Sequence, residues 1–361
     1  MTVGQISGCP RVYGTGLIAL DLVVSQDRPK GCLWAGGTCG NVLSILAFLG
    51  WEAFPVGRLR RDRAADYVRA DLERRGVRLD FLHLEPASDT PVILQRIIRD
   101  ASGVPFHTFS WRCPHCGGRF PRYSAVPQTA IRSVLAQVDE PRVFFLDRVS
   151  RGALALAEAC VEQGAIVVFE PSGVGEVELF REALRVSHIL KYSHERMRAH
   201  LESAELEIDE GGPLLEIETL GRGGLSYRCR LGGYTTTGWE RVAAFRVNAL
   251  RDTSGAGDWC TAGIVSRLAS NGSVGLRSSS RSDVIEALAF GQALAAWNCG
   301  FEGARGGMDT MSREQLLVGL SRILQEKAVD QPTADPIPQE AVEVLHGICS
   351  RCLVQPQGED S

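Results

Sequence analysis

The sequence predicts a three-layer α/β fold, in which helices cover both faces of a mostly parallel central sheet. Short runs rich in β-branched and aromatic residues alternate with segments of helical periodicity, which is typical of stacked β-α-β units. Two stretches, residues 78–123 and 225–238, interrupt this alternation with turn signals and strand-like pieces. We expect the first stretch to form a small β-sheet beside the main domain and the second to form a hairpin.

The elements can be assigned in chain order. Residues 11–24 have the composition of a first strand, which we expect to end near Asp21. The apolar residues that follow fall on one helical face, and Gly50 ends that helix. A second, amphipathic helix is predicted over residues 61–76. Later strands are predicted at residues 142–147, 165–170, 187–192 and 214–220.

These elements predict one large domain over residues 10–326, with residues 78–123 as an insert. A proline-rich connector is predicted over residues 327–340, because three prolines lie close together among polar residues. Residues 341–361 would then form a short C-terminal appendage.

Composition excludes several classes of protein. The 361 residues are 44% hydrophobic and 23% charged, with a formal net charge of −4, so no basic surface for nucleic acid is indicated. The longest apolar stretch, residues 42–50, is too short to cross a bilayer, and the first residues lack the features of a signal peptide. We therefore expect a cytoplasmic protein that binds neither nucleic acid nor membrane.

The segment DTSGAGD, residues 252–258, predicts a site for phosphoryl transfer. Small and apolar residues at helical spacing follow it, so Gly255, Ala256 and Gly257 should lie in the first turn of a helix. A helix N-terminus exposes unpaired amides that attract an anion, and glycine lets the anion approach closely. Asp258 would lie beside that anion, where a carboxylate can accept the proton of a hydroxyl nucleophile.

This segment resembles the C-terminal signature of the ribokinase-like (PfkB) family of carbohydrate kinases. That signature is close to D-T-x-G-A-G-D, followed by small residues. Three further segments match family motifs in the same order: AGGTCGNVLSILAFLG at 35–50, TLGRGG at 219–224 and FGQALAAWNCGFEGA at 290–304. The resemblance covers roughly residues 10–325 and implies the ribokinase-like fold, with a small β-sheet that acts as a lid over the substrate.

The resemblance also implies a function for individual residues. Asp258 would be the catalytic base, and the amides of Gly255, Ala256 and Gly257 would bind the transferred phosphoryl group. The resemblance implies that the acceptor binds at Asp21, Gly36, Gly37 and Asn41. It implies that the nucleotide binds at Thr219, Gly221, Gly224, Asn298 and Gly303. A monovalent cation such as K⁺ would bind at Asp252 and Ala304.

The activity implied is ATP-dependent phosphorylation of a sugar or sugar-like small molecule, with Mg²⁺. The lid of this family often mediates a homodimer. Many relatives carry N-x-x-E after the strand at 187–192, but here those positions are Ser193 and Arg196, with Glu195 one place early. Glu170 stands where many sugar kinases have an Asp-x-Asn pattern.

Two alternative functions remain open at the level of sequence. A nucleoside kinase of the same fold is favoured if Phe106, Phe109 and Trp111 in the lid stack on a base. A non-catalytic regulator that binds nucleotide or sugar is supported mainly by Arg196. The sequence does not name the acceptor, although Arg148 could meet an acidic substrate.

Four of the eleven cysteines predict a zinc site. Cys113 and Cys116 form one C-x-x-C pair, and Cys349 and Cys352 form another. Pairs of thiolates with two residues between them suit the tetrahedral geometry of Zn²⁺. His115 or His346 could replace one ligand, and the other interpretations are free thiols or a redox pair. One ion held by all four would join the appendage to the lid insert.

Overall fold

A computed structural model describes residues 8–25, 28–203 and 211–330, together with 348, 349, 351 and 352. The strands are β1 (Arg11–Thr15), β2 (Ala19–Ser25), β3 (Arg28–Gly36), β4 (Glu52–Pro55), β5 (Gly57–Leu59), β6 (Leu82–Leu84), β7 (Val92–Arg99), β8 (Pro105–Ser110), β9 (Pro141–Leu146), β10 (Ile166–Phe169), β11 (Ile189–Ser193), β12 (Leu215–Thr219), β13 (Leu225–Leu231), β14 (Tyr234–Thr235), β15 (Glu240–Val242), β16 (Arg246–Val247) and β17 (Ala328–Val329). The α-helices are α1 (Thr38–Phe48), α2 (Arg63–Arg74), α3 (Gln128–Leu135), α4 (Arg151–Glu162), α5 (Val177–Val186), α6 (His194–Ser203), α7 (Ala256–Leu268), α8 (Gly272–Ser278), α9 (Arg281–Asn298) and α10 (Arg313–Glu326).

The central sheet is mostly parallel, which confirms the predicted fold class. Its strand order is β14-β13-β12-β11-β10-β9-β1-β4, with β15 beside β13. From β4 through β12 all neighbours pair in parallel, whereas the hairpin strands β13, β14 and β15 pair antiparallel at one edge. Parallel strands need long crossovers, and helices supply them here.

Two hydrophobic cores cover the two faces of this sheet. Along β9, Val143 and Phe145 point into one core, and Phe144 and Leu146 point into the other. This alternation follows from the two-residue repeat of a strand, and it explains why parallel strands are apolar throughout. Helices α1, α7 and α9 pack in the first core, and α3 to α6 pack in the second. The result is the three-layer arrangement predicted from the sequence.

A separate four-stranded sheet, here called the small sheet, has the order β3-β2-β7-β8. Strands β2 and β7 pair in parallel, and β3 and β8 form its antiparallel edges. Leu20, Leu22 and Leu94 point to the main core from β2 and β7. Asp21, Ile93 and Gln95 occupy the alternate positions and face a cleft.

The structure corrects two sequence predictions about this sheet. Residues 11–24 are not one strand ending near Asp21, because Gly16 at φ 148° separates β1 from β2. A Cβ at Gly16 would lie 1.6 Å from Oδ1 of Asp147, so only glycine permits this turn. Asp21 therefore lies within β2, and the small sheet takes strands from residues 19–36 as well as from the 78–123 insert.

The predicted connector begins with regular structure. Helix α10 ends at Glu326, and β17 then pairs in parallel with β16. Residues 331–340, the rest of the predicted connector, and most of the appendage lie outside the described residues.

Candidate active site

A cleft of about 1230 Å³ opens between the carboxyl ends of the parallel strands and the small sheet. Glu170 directly follows β10, Ser193 ends β11 and Thr219 ends β12, and all three line the cleft. The carboxyl edge of a parallel sheet is where such folds bind ligands, because loops and helix N-termini meet there.

The glycine turn, residues Gly255–Gly257, lies on the cleft wall at the start of α7. Gly255 is left-handed at φ 71°, and a Cβ there would lie 2.3 Å from the Ala304 carbonyl oxygen. Within the described chain, no carbonyl accepts from the amides of Gly255 and Gly257, whereas the Ala256 amide donates to Thr253 at 3.2 Å. Two of the three amides predicted for the anion are therefore unpaired, and the third is already engaged.

Asp258 lies in the first turn of α7 and faces the cleft. Its Oδ2 accepts a 2.7 Å hydrogen bond from Nδ2 of Asn41 on α1, the helix that packs against α7. Removal from water and the nearby negative charge of Glu170 raise the pKa of Asp258 to about 8. A carboxylate with that pKa is suited to accept a proton near neutral pH.

A buried ion pair lies beside the glycine turn. Lys191, only 2% exposed, donates from Nζ to Oε1 of Glu170 at 2.5 Å, and Thr261 donates to Oε2 of the same carboxylate. Burial favours the neutral amine, yet the Glu170 charge outweighs it and raises the pKa of Lys191. A Cβ at Gly257 would be 3.6 Å from Lys191 Nζ, so a fixed positive charge lies next to the amides of the turn.

Two side chains in the cleft carry unpaired hydrogen-bond acceptors. Oδ1 of Asp21 and Oδ1 of Asn41 are buried, and each lacks a hydrogen-bond partner among the described residues. Burial raises the pKa of Asp21 to about 7, against the opposing effects of Arg305 and the Gly37 amide. Gly37 lines the cleft, whereas Gly36 does not. A Cβ at Gly36 would lie 1.9 Å from Asp21 Oδ2, so its role is to admit the carboxylate.

The small sheet is hydrogen-bonded to the segment before the glycine turn. Gln95 on β7 donates from Nε2 to Asp252 Oδ2 at 3.0 Å and to Oγ of Ser254. His107 on β8 lies with Nδ1 3.3 Å from Thr253 Oγ1. These contacts hold the small sheet against the glycine turn. Neither Gln95 nor His107 was predicted from the sequence, because only the strand pairing brings them to this segment.

Part of the predicted nucleotide wall lies along the cleft. Thr219, Gly221 and Gly224 line it together with Leu225 and Phe245. Gly224 adopts φ 89°, and a Cβ there would be 2.1 Å from the Val242 carbonyl oxygen.

Asn298 and Gly303, also predicted to contact nucleotide, do not line the cleft. Asn298 is fully buried, and its Nδ2 donates to the carbonyls of Ser254, Gly303 and Ala304 at 3.4, 3.4 and 3.1 Å. Its Oδ1 accepts from the Gly307 amide at 3.4 Å, which fixes this orientation of the amide group. Asn298 therefore holds backbone segments together behind the glycine turn.

The residues predicted for a monovalent cation do not fit that ion. Asp252 accepts hydrogen bonds from Gln95, from the amide and hydroxyl of Ser254, and from the Gly303 amide. The Ala304 carbonyl accepts from Asn298 and from Trp259 Nε1 at 3.0 Å. N–H and O–H donors thus occupy the oxygens that would ligate a cation.

Sequence comparison identifies the family to which this site belongs. Residues 144–311, which include Glu170, Lys191 and the whole glycine turn, match the model described as pfkB family carbohydrate kinase. This part of the chain is similar to the pfkB family of carbohydrate kinases. This confirms the resemblance and the enzyme class inferred from the motifs.

One relative and several solved structures are similar to this chain over most of its length. It is 27% identical over 294 residues to an ATP-dependent ribose-1-phosphate kinase of Halopiger xanaduensis, spanning 78% of this chain and 84% of the relative. A fructokinase with bound ATP from Xylella fastidiosa has a TM-score of 0.66 at 18% identity, covering 88% of this chain and 98% of that one. An aminoimidazole riboside kinase from Salmonella enterica has a TM-score of 0.62 at 22% identity, covering 86% and 99%. These structures share the fold.

The residues at the positions of the expected N-x-x-E pattern lie at the end of β11 and the start of α6. Ser193, Glu195 and Arg196 all line the cleft, so the exchanged residues face the site. The positive charge of Arg196 favours the ionised form of the Asp258 carboxylate and so opposes the rise in its pKa. Lys191 in the same strand was missed from the sequence, although a lysine inside an apolar parallel strand is itself a signal, because lysine is rarely fully buried unless paired.

The four cysteines predicted to bind a metal lie together. The sulfurs of Cys113, Cys116, Cys349 and Cys352 are all within 4.8 Å of one another. His346, a suggested replacement ligand, lies outside the described residues.

Among the helices that the structure describes, none has the length and apolar character needed to span a membrane.

Proposed function

We propose that this kinase transfers the γ-phosphoryl group of ATP to a hydroxyl of a sugar phosphate, with Asp258 as the general base. The observation that carries the proposal is the position of Asp258. It lies in the first turn of α7, next to the unpaired amides of Gly255 and Gly257. Asn41, one of the residues expected to bind the acceptor, holds it by a hydrogen bond.

The proposed reaction uses these groups in one step. Asp258 accepts the proton of the acceptor hydroxyl through Oδ1, since Oδ2 is held by Asn41. The hydroxyl oxygen forms a bond to the γ-phosphorus as the bond from that phosphorus to the bridging oxygen breaks, and ADP leaves. The amides of Gly255 and Gly257 donate to the phosphoryl oxygens, and the charge of Lys191 stabilises the same group.

Magnesium fits the donor set of the cleft. Glu195 lines the cleft as an exposed carboxylate without a partner among the described residues, and Mg²⁺ prefers carboxylate and water oxygens. Glu195 would hold the ion with the ATP phosphates, whereas both oxygens of Glu170 are already bonded to Lys191 and Thr261. When bound, Mg²⁺ neutralises phosphate charge.

A sugar phosphate such as ribose 1-phosphate is the acceptor that the cleft favours. The unpaired oxygens of Asp21 and Asn41 suit sugar hydroxyls. Arg148 lines the same cleft and donates to Asp147, whose other oxygen holds the Leu17 amide beside the acceptor wall. A guanidinium there matches a phosphate. The curated relative, named as a ribose-1-phosphate kinase, supports the same acceptor.

A nucleoside is the second candidate acceptor. Phe109 and Trp111 line the cleft and are 50% and 36% exposed, which leaves aromatic faces available to a base. A panel of ribose 1-phosphate, ribose, fructose and inosine, each assayed for kcat/KM with MgATP, distinguishes the two. The proposal requires the highest value for the sugar phosphate, and a higher value for inosine would favour the nucleoside.

The Asp258→Asn variant tests the chemistry. We expect kcat to fall by roughly 10²- to 10⁴-fold, because the amide cannot accept the proton, while the affinity for ATP stays close to that of the wild type. Asp66→Asn on the exposed face of α2 is the matched control and should retain full activity. Unchanged turnover in Asp258→Asn would refute the assignment of the base.

A further inference from the structure

The four-cysteine cluster has the dimensions of a tetrahedral metal site. The sulfurs of Cys113 and Cys352 are 3.7 Å apart, and those of Cys116 and Cys349 are 3.6 Å apart. A disulfide requires about 2.05 Å, so neither pair is bonded. Four sulfurs at about 2.3 Å from a tetrahedral Zn²⁺ would be roughly 3.8 Å from one another. The observed separations therefore leave room for that ion at the centre.

A tight backbone turn presents the first pair of cysteines. The Cys113 amide donates to the Gly118 carbonyl, and the turn passes through Gly117 at φ 66°. A Cβ at Gly118 would lie 3.2 Å from the Cys116 sulfur, so the turn packs directly against that sulfur. Pairs of cysteines presented by such tight turns are typical of structural zinc sites.

We propose that these four cysteines bind Zn²⁺ and that the ion fastens the C-terminal segment to the end of β8. The two segments already pack without a gap, since a Cβ at Gly118 would lie 2.8 Å from Cδ of Arg351. Ile348 and Cys349 join the main hydrophobic core together with Cys113. The ion thus links positions more than 230 residues apart in sequence.

The zinc centre bears on the acceptor side of the cleft. Trp111, which lines the cleft, is two residues before Cys113, and its carbonyl accepts from the Phe120 amide at 2.9 Å. Strand β8 is an edge of the small sheet, so only β7 supports it within that sheet. Loss of zinc would free the end of β8 and with it Trp111. This consequence rests on the proposed function, whereas zinc binding itself does not.

Metal analysis of the purified full chain tests the site directly. We expect one zinc per chain in the wild type and in Cys9→Ser, whose cysteine is exposed and outside the cluster. The double variant Cys349→Ser/Cys352→Ser should lose the zinc. Substitution with Co²⁺ should give the thiolate charge-transfer absorption of a tetrahedral sulfur site. Wild-type protein without stoichiometric metal, or zinc retained by the double variant, would overturn the proposal.

Kinetics of the zinc-free chain test the link to the acceptor. In Cys349→Ser/Cys352→Ser we expect KM for the acceptor to rise roughly three- to tenfold, the effect of leaving one wall side chain unordered. KM for ATP should change less than twofold, because the nucleotide wall comes from other elements. Equal acceptor KM values with and without zinc would refute the link while leaving the metal site intact. Zinc bound to a chain inactive on every acceptor would count against the proposed function alone.

Discussion

The two walls of the cleft are built in different ways. The wall at α7 is made from one short segment, residues 252–258, whose backbone amides, glycine turn and carboxylate are the groups proposed to do the chemistry. The small-sheet wall is made from side chains on strands that are distant in sequence, among them Asp21, Gln95 and His107. Under the proposed function, the first wall would serve any phosphoryl acceptor, and the second would determine which acceptor binds.

After Asp258→Asn, the largest effect is expected from Lys191→Met on β11, next to the α7 wall. Loss of the charge beside the glycine turn should lower kcat by roughly 10²- to 10³-fold, the cost typical of removing one group that stabilises a transition state. The change also leaves Glu170 buried without its partner, which lowers stability.

The double variant Glu170→Gln/Lys191→Met separates these two effects. It removes both charges, so thermal stability should recover toward that of the wild type, as measured by a melting curve. If Lys191 acts on the phosphoryl group, kcat stays low in the double variant. Recovered kcat would mean that Lys191 serves only to neutralise Glu170.

A smaller and different effect is expected at the small-sheet wall, from Asp21→Asn. The loss of a charged acceptor for a sugar hydroxyl should raise KM for the acceptor by roughly 10- to 100-fold, since hydrogen bonds to charged groups are the stronger ones. KM for ATP should be unaffected. Steady-state kinetics with each substrate varied in turn measures both, and an equal rise in the two KM values would contradict the division between the walls.

The smallest effect is a shift in the dependence of kcat/KM on pH, which tests Asp258 as the proposed general base. Below its pKa of about 8 this carboxylate is protonated and cannot act as a base, so kcat/KM should rise with pH and level off above that value. Glu170→Gln removes a negative neighbour and should move the rise to lower pH by about one unit. Glu158→Gln, exposed on α4, is the control. A rise that stays in place, or moves to higher pH, would contradict the role of Glu170.

The difference between the walls also explains what the sequence could predict. The glycine turn is local, so its residues and their order suffice to indicate a helix start with an adjacent carboxylate. Gln95 and Lys191 become recognisable only when strand pairing and burial are known. The break between β1 and β2 depends on Asp147, more than 120 residues away, so no local pattern reveals it.

Asn298 illustrates the opposite error. Its place in a family motif suggested a contact with nucleotide, and the residue does lie close to the glycine turn. Its side chain is directed into the protein, however, and binds three carbonyls. The position of a residue in a motif predicts that it lies near the active site. The direction of its side chain depends on neighbouring groups, here the Gly307 amide that donates to Asn298 Oδ1.

The single amide of Gln95 has a consequence for the order of events in turnover. It joins β7, which lines the cleft, to residues 252–254, which precede the glycine turn. Displacement of β7 would therefore break a bond to the segment that positions this turn. Under the proposed function, the phosphoryl site would be complete only while the small sheet is in place, and little ATP would be hydrolysed when no acceptor is bound.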